Sequence, residues 1–82
     1  SVTQINSEKL LEELMILMEK LRAYEIDEAE KIIQKLQHIK CANLSGRELI
    51  ENIKQDVTDF EFDRALNKTE ELYKRVERGE CE

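Results

Sequence analysis

The second half of this 82-residue chain repeats its first half at an offset of about 36 positions. Residues 24–29 align with residues 60–65, and both segments follow the pattern aromatic-x-apolar-Asp-x-Ala. The apolar residues around the two segments align as well: Leu14, Leu17, Leu21 and Leu36 match Ile50, Ile53, Val57 and Leu72. Each half is therefore expected to form two helices joined by a tight corner. Two such hairpins packed face to face predict an all-α, four-helix, up-and-down antiparallel bundle.

The residue content agrees with a helical chain of one small domain. The sequence has no proline and only two glycines, Gly46 at an expected turn and Gly79 at an expected helix end. A length of 82 residues is close to the lower limit for independent folding. We expect residues 1–6 to be a linker, residues 7–78 the bundle and residues 79–82 a frayed tail.

Helical periodicity predicts the element boundaries. The first helix is expected from an N-cap at Ser7 to about Ala23. The second is expected to begin with Asp27 at its cap or in its first turn and to end between residues 41 and 44. A capping box of the form Ser-x-x-Glu at Ser45 and Glu48 starts the third helix. Residues spaced by three and four are predicted to be buried. They are Leu10, Leu11, Leu14, Leu17, Met18, Leu21, Ala29, Ile32, Ile33, Leu36, Ile39, Leu49, Ile50, Ile53, Val57, Ala65, Leu66, Thr69, Leu72, Tyr73 and Val76.

Three aromatic residues mark the corners. Tyr24 lies in the first corner, and Phe60 and Phe62 flank the second. The repeat predicts that all three lie at the same end of the bundle, where we expect them to fill the core rather than to contact a ligand.

Charge excludes one function class and favours a compartment. The net charge of −6 and the pI of about 4.9 argue against nucleic-acid binding, which requires a basic surface. No run of 18 apolar residues is present, so we expect no membrane span. The N-terminus does not resemble a signal peptide. These features favour the cytoplasm, and the start at Ser1 suggests a piece of a longer protein.

Metal and cofactor motifs are not found in the sequence. Cys41 and Cys81 do not form a CxxC motif, so we expect free thiols, with a Cys41–Cys81 bridge as the alternative. The Glu-x-x-His pairs of di-iron bundles do not occur, because His38 is the only histidine and Lys35 precedes it by three positions. The sequence predicts no metal and no cofactor.

His38 is the candidate for chemistry. It is two residues beyond Leu36, about 200° around a helix, so it should point away from the core. Lys31, Lys35 and His38 would share one outer stripe. An exposed neutral imidazole is a nitrogen nucleophile, and nearby ammonium groups would stabilise phosphoryl oxygens. His38 is therefore either a phosphoryl acceptor or an ordinary surface histidine.

Residues 21–29 and 57–66 resemble the corners of histidine-containing phosphotransfer (HPt) domains of bacterial two-component signalling. The likeness extends over about residues 8–77 and is nearest to the degenerate HPt-like bundles at the C-termini of hybrid sensor kinases and response regulators. It implies phosphoryl transfer through His38 with help from Lys40. The working motif His-x-Leu-Lys-Gly is not kept here, because Lys40 comes one position early and Ala42 replaces the glycine.

The resemblance implies a signalling module that binds a receiver or kinase domain, either as a phosphoryl carrier in a phosphorelay or as a docking bundle without a covalent step. The alternative is a helical interaction or dimerisation module unrelated to phosphorelay. That module would use an exposed apolar stripe containing Met15, Met18 and Val76. We do not expect a stand-alone enzyme, because no acid–base pair is evident.

Overall fold

The computed structural model describes residues 7–38 and 44–79, which form four helices and no strands. They are α1 (Ser7–Arg22), α2 (Ile26–Gln37), α3 (Leu44–Thr58) and α4 (Phe62–Glu77). The α1 helix packs against α2 and α4, and α3 packs against the same two helices from the opposite side. The all-α four-helix bundle is therefore confirmed. The predicted linker and residues 80–82 of the predicted tail lie outside the described residues.

The core consists of the apolar stripes that the sequence periodicity predicts. Among the residues whose side chains the structure describes, fifteen hydrophobic residues are buried. They are Leu10, Leu14, Leu17, Leu21, Ala29, Ile32, Ile33, Leu36, Leu49, Ile50, Ile53, Val57, Ala65, Leu72 and Val76. All were predicted, as was the burial of Thr69, whose hydroxyl donates to the Ala65 carbonyl at 2.7 Å. Leu11, Leu66 and Tyr73 are half-buried against this core, and Met18 is also half-buried.

Two predicted helix boundaries are wrong. The α2 helix ends at Gln37, whereas the sequence predicts an end at residues 41–44. Ile39, which is predicted to be buried, lies outside the described residues. A backbone bond from His38 N–H to the Lys35 carbonyl, spanning three residues, closes the last turn of α2. The α3 helix begins at Leu44, so the predicted cap Ser45 and the predicted turn residue Gly46 both lie in the first turn of the helix.

Both corners are built in the same way. Tyr24 has a positive φ of 57°, and its N–H donates to the Leu21 carbonyl at 3.3 Å. The next N–H, that of Glu25, reaches back to the Lys20 carbonyl at 2.9 Å. These two bonds form a Schellman motif, which ends a helix and reverses the chain within three residues.

The second corner repeats this geometry. Phe60 has a φ of 60° and donates to the Val57 carbonyl at 3.1 Å, and Glu61 donates to the Asp56 carbonyl at 2.8 Å. Glycine is the usual residue at this left-handed position, and a residue with a Cβ costs about 1–2 kcal/mol there. Glycine is found at the end of α4, where Gly79 has a φ of 76°. The predicted helix end at Gly79 is thus confirmed, whereas the two corners place an aromatic residue in the same conformation.

The corner aromatics lie at one end of the bundle, but two of them do not fill the core as predicted. Tyr24 is 67% exposed and Phe60 is 75% exposed, because the left-handed turn directs these side chains outward. Phe62 is half-buried and packs on the core. Its ring contacts the other two edge to face, with centroid distances of 5.6 Å to Tyr24 and 6.0 Å to Phe60.

The packing predicts a clear contrast between two apolar residues of α1. Replacing the fully buried Leu17 by alanine should lower the free energy of unfolding by about 2–4 kcal/mol, because it removes methyl groups from a closed core. The Met15→Ala variant should change it by less than about 0.5 kcal/mol, since Met15 is 52% exposed. Urea unfolding followed by circular dichroism measures both. Equal losses in the two variants would contradict the assigned core face.

The corner geometry predicts an inverted order of alanine and glycine at position 24. The Tyr24→Ala and Tyr24→Gly variants lose the same ring contacts, but only alanine keeps a Cβ in the left-handed region. The glycine variant should therefore be the more stable, by about 1 kcal/mol. At Gln34, exposed within α2, the order should be the normal one, with alanine about 1 kcal/mol more stable than glycine. Thermal and urea unfolding of the four variants measure both differences, and the same order at both positions would show that Tyr24 is not left-handed.

Candidate functional site

His38 caps the C-terminal end of α2. Its backbone has φ −95° and ψ 0°, and its side chain is exposed. The predicted exposure is confirmed, but the residue lies just past the helix and not on a continuous helical face. Within residues 7–38 and 44–79 the imidazole makes no hydrogen bond or ion pair, so no described side chain fixes its orientation or its tautomer.

The lysines predicted to accompany His38 are engaged elsewhere. The Lys35 ammonium lies 3.8 Å from a carboxylate oxygen of Glu13 on α1. The Lys31 ammonium lies 3.6 Å from Glu28, one turn earlier on α2. Both partners of the Lys31–Glu28 pair are exposed, so this ion pair is weak and can exchange partners. Glu13 is only 13% exposed, so Lys35 is the partner of a largely buried carboxylate. Lys40, the third predicted member, lies outside the described residues.

A pocket of about 220 Å³ lies between α2 and α3, next to the His38 end of the bundle. Its lining combines the apolar Leu36 and Ile50 with the polar Gln37, Arg47 and Glu51. The Gln37 amide donates to the Glu51 carboxylate across this pocket at 2.8 Å. The arrangement provides hydrogen-bonding groups, but it does not place a nucleophile beside a base.

Two classes of site are not found in the described part of the chain. Among residues 7–38 and 44–79, no three His, Cys, Asp or Glu side chains come together as metal ligands would. Of the four helices, none is long and apolar enough to cross a bilayer. Cys41 and Cys81, for which the sequence left free thiols and a bridge open, lie outside the described residues.

The sequence interpretation missed a buried carboxylate. Asp56 of α3 is 7% exposed, and its Oδ2 lies 2.6 Å from the Lys68 ammonium of α4. This Oδ2 has no hydrogen-bond partner among the described residues, so the contact is an ion pair without hydrogen-bond angles. A signal was present in the sequence, because Asp56 is three residues after Ile53 and directly before Val57 on the apolar stripe. Its place between two core residues brings the carboxylate inward.

The sequence interpretation also missed an exposed aromatic surface, which we call the corner face: Tyr24, Phe60 and Phe62. Beside Tyr24 an open depression of about 460 Å³ is lined by Tyr24, Glu25, Ile26, Asp27 and Glu28. The Lys20 ammonium lies 2.9 Å from the Glu25 carboxylate. That hydrogen-bonded carboxylate raises the pKa of Lys20 above its ordinary value. Carboxylates therefore dominate the surroundings of the aromatic rings.

The exposed stripe predicted for the alternative function is only partly present. Val76 is buried, because its side chain belongs to the core stripe of α4. Met18 is half-buried, whereas Met15 is exposed together with its neighbour Ile16. The apolar surface of α1 is thus a small patch of Met15 and Ile16, and it does not extend to α4 through Val76.

Comparison of the chain with protein-family models, with curated proteins and with solved structures found no match. Function must therefore be argued from the residues and their geometry.

The buried ion pair predicts how α3 and α4 respond to substitution. Asp56→Ala should destabilise the bundle by about 1–3 kcal/mol, because it leaves the partly buried Lys68 ammonium without its partner. Replacing both residues with apolar ones of similar size, as in Asp56→Leu with Lys68→Met, should recover most of this loss. Urea unfolding of Asp56→Leu, Lys68→Met and the double variant measures the coupling. Additive losses would show that the two side chains do not interact.

Proposed function

We propose that the chain is an HPt-like docking module of a two-component signalling protein, which binds a receiver or kinase domain without transferring a phosphoryl group. The resemblance of residues 21–29 and 57–66 to HPt corners supports the signalling context. The four-helix bundle is the fold that this resemblance implies. The proposal assigns binding to the outer face of α2, where Lys31, Lys35 and His38 are exposed at one side of the helix.

The position of His38 carries the argument against a covalent step. A phosphoryl acceptor needs an imidazole held in one orientation, with positive charge fixed where the phosphoryl oxygens will be. His38 follows the last residue of α2, and no described side chain holds its ring. Lys35, the predicted helper on α2, has its ammonium 3.8 Å from the Glu13 carboxylate on the neighbouring helix. These features favour an exposed contact residue over a nucleophile.

The same lysines support docking. An ion pair between exposed side chains contributes only about 0–1 kcal/mol, so Lys31 can leave Glu28 for a carboxylate of a partner at little cost. Lys35 presents its exposed ammonium to the partner from its position beside the largely buried Glu13. Receiver domains carry the aspartate that the resemblance implies as phosphoryl donor. A partner surface that is acidic around such a group would complement this face of α2 and speed the encounter.

The exposed patch on α1 supports the second candidate, a helical interaction or dimerisation module unrelated to phosphorelay. Met15 is 52% exposed and Ile16 is 41% exposed, and they are adjacent in sequence. Exposed apolar neighbours on one helix are a typical start of a helix-pairing interface. The patch is small, and Glu12 and Glu19 flank it on α1. A second copy would therefore bring like charges together around the contact.

One measurement distinguishes a docking bundle from a phosphoryl carrier. The bundle is incubated with phosphorylated receiver domains, and the products are tested for acid-labile, base-stable label, the signature of phosphohistidine. We expect no label on the bundle and measurable binding of the receiver by calorimetry. Label that disappears in the His38→Gln variant would overturn the docking assignment and establish a phosphoryl carrier.

Charge reversal on α2 tests the docking face itself. The double variant Lys31→Glu with Lys35→Glu should weaken receiver binding about tenfold or more, since it replaces attraction with repulsion. The matched control, Lys54→Glu with Lys74→Glu, changes the net charge equally on α3 and α4 and should leave the affinity nearly unchanged. If neither double variant weakens binding, the contact lies elsewhere. If no receiver binds and the chain dimerises through Met15 and Ile16, the second candidate is correct.

A further inference from the structure

The corner face is an exposed aromatic surface that the core does not use. Tyr24 is 67% exposed and Phe60 is 75% exposed. The left-handed turn that closes each helix directs these two rings outward, and their edge-to-face contacts with Phe62 leave most of each ring accessible. Neighbouring exposed apolar side chains with a charged border are typical of an interaction surface. The same arrangement occurs in both halves of the repeat.

We infer that the corner face binds an arginine-bearing segment of a partner protein, with the guanidinium group in the depression beside Tyr24. Three of the five residues that line this depression are carboxylates, namely Glu25, Asp27 and Glu28, and none is basic. The other two, Tyr24 and Ile26, provide an aromatic ring and an aliphatic side chain. A guanidinium group stacks on an aromatic ring and binds a carboxylate with two parallel hydrogen bonds.

The three carboxylates of the depression differ in whether a lysine already pairs with them. Glu25 is engaged by Lys20 at 2.9 Å and Glu28 by Lys31 at 3.6 Å. Asp27 makes no ion pair within the described residues and is exposed in the first turn of α2. Asp27 is therefore the carboxylate that we assign to the arginine. Apolar residues next to that arginine would lie against Phe60 and the accessible part of Phe62.

The electrostatics of this end argue against a second copy of the chain as the occupant. Exposed carboxylates outnumber exposed basic side chains around the rings: residues 22–28 and 59–64 expose Glu25, Asp27, Glu28, Asp59, Glu61 and Asp63, against Arg22 and Arg64. Two copies meeting through this face would bring together two surfaces of net negative charge, and like charges at an interface are unfavourable. A cationic segment is attracted by the same carboxylates, so its association should be faster at low ionic strength.

This inference can be tested separately from the proposed function, because Lys35 and His38 lie toward the other end of α2, whereas Lys31 lies 3.6 Å from Glu28 of the depression and is close to both surfaces. That helix has 12 residues and so separates the two ends by about 18 Å. Receiver docking at the lysine-bearing face of α2 can fail while the corner face still binds a basic segment. Equally, the corner face can fail to bind a basic segment while a receiver still docks on α2.

A synthetic amphipathic helical peptide of leucine, alanine and arginine serves as the probe, titrated into the intact chain and followed by NMR. We expect amide shifts concentrated at residues 24–28 and 60–63, with an affinity that falls as salt is added. The same peptide with glutamate in place of arginine should not bind. No shifts in these segments at millimolar arginine peptide, or equal binding of the glutamate peptide, would overturn the inference.

Variants with matched controls separate the ring from the charge. Tyr24→Gly keeps the left-handed turn and removes the ring, so it should weaken peptide binding about tenfold without unfolding the bundle. Asp27→Asn should do the same by removing the carboxylate. Gln34→Ala truncates an exposed side chain elsewhere on α2, and Glu12→Gln removes a carboxylate on α1, so both should bind as the parent does. Unchanged affinity in Tyr24→Gly, or equal losses in all four variants, would contradict the assigned site.

Discussion

The structure depends on a left-handed residue at each corner. A positive φ at Tyr24 and at Phe60 allows two backbone bonds to close each helix, so the chain reverses within three residues. Only then can α2 return along α1, and α4 along α3, with their apolar stripes facing each other. Because both corners are alike, the two hairpins have similar geometry and can share one core. A reversal over more residues would need a longer loop, and the apolar stripes of these short helices would then not face each other.

The core could be predicted because burial follows the helical period directly. Leu14, Ile53 and Leu72 are fully buried, as their spacing indicates, and the repeat located both corners. Backbone handedness was not predictable in the same way. Glycine usually marks a left-handed position, and the aromatic residue there was therefore interpreted as core filling. The end of α2 was misplaced for a related reason: without glycine or proline near Gln37, the apolar spacing continued through Ile39 and gave no stop.

The candidate site shows the same division between periodicity and local geometry. The angle of His38 relative to Leu36 predicted its exposure, because two residues correspond to about 200° of rotation. Its role as a cap depends on backbone bonds that no side-chain pattern specifies. Asp56 illustrates the opposite error, since a charged residue is ordinarily assigned to the outer face. Its position beside Val57 directs it inward, and the structure resolves this conflict by bringing the Lys68 ammonium of α4 to the carboxylate.

Apolar side chains fill the core between the four described helices, and both candidate recognition surfaces lie on the outside of the bundle. The two ends of α2 are chemically different: one presents His38 near lysines, and the other presents aromatic rings bordered by carboxylates. Such a helix can contact an acidic surface at one end and a basic segment at the other without changing shape. Because the core between them is continuous, each end is held in place by the same buried residues. Destabilising the core would then loosen both surfaces together, whereas replacing an exposed residue would affect only its own.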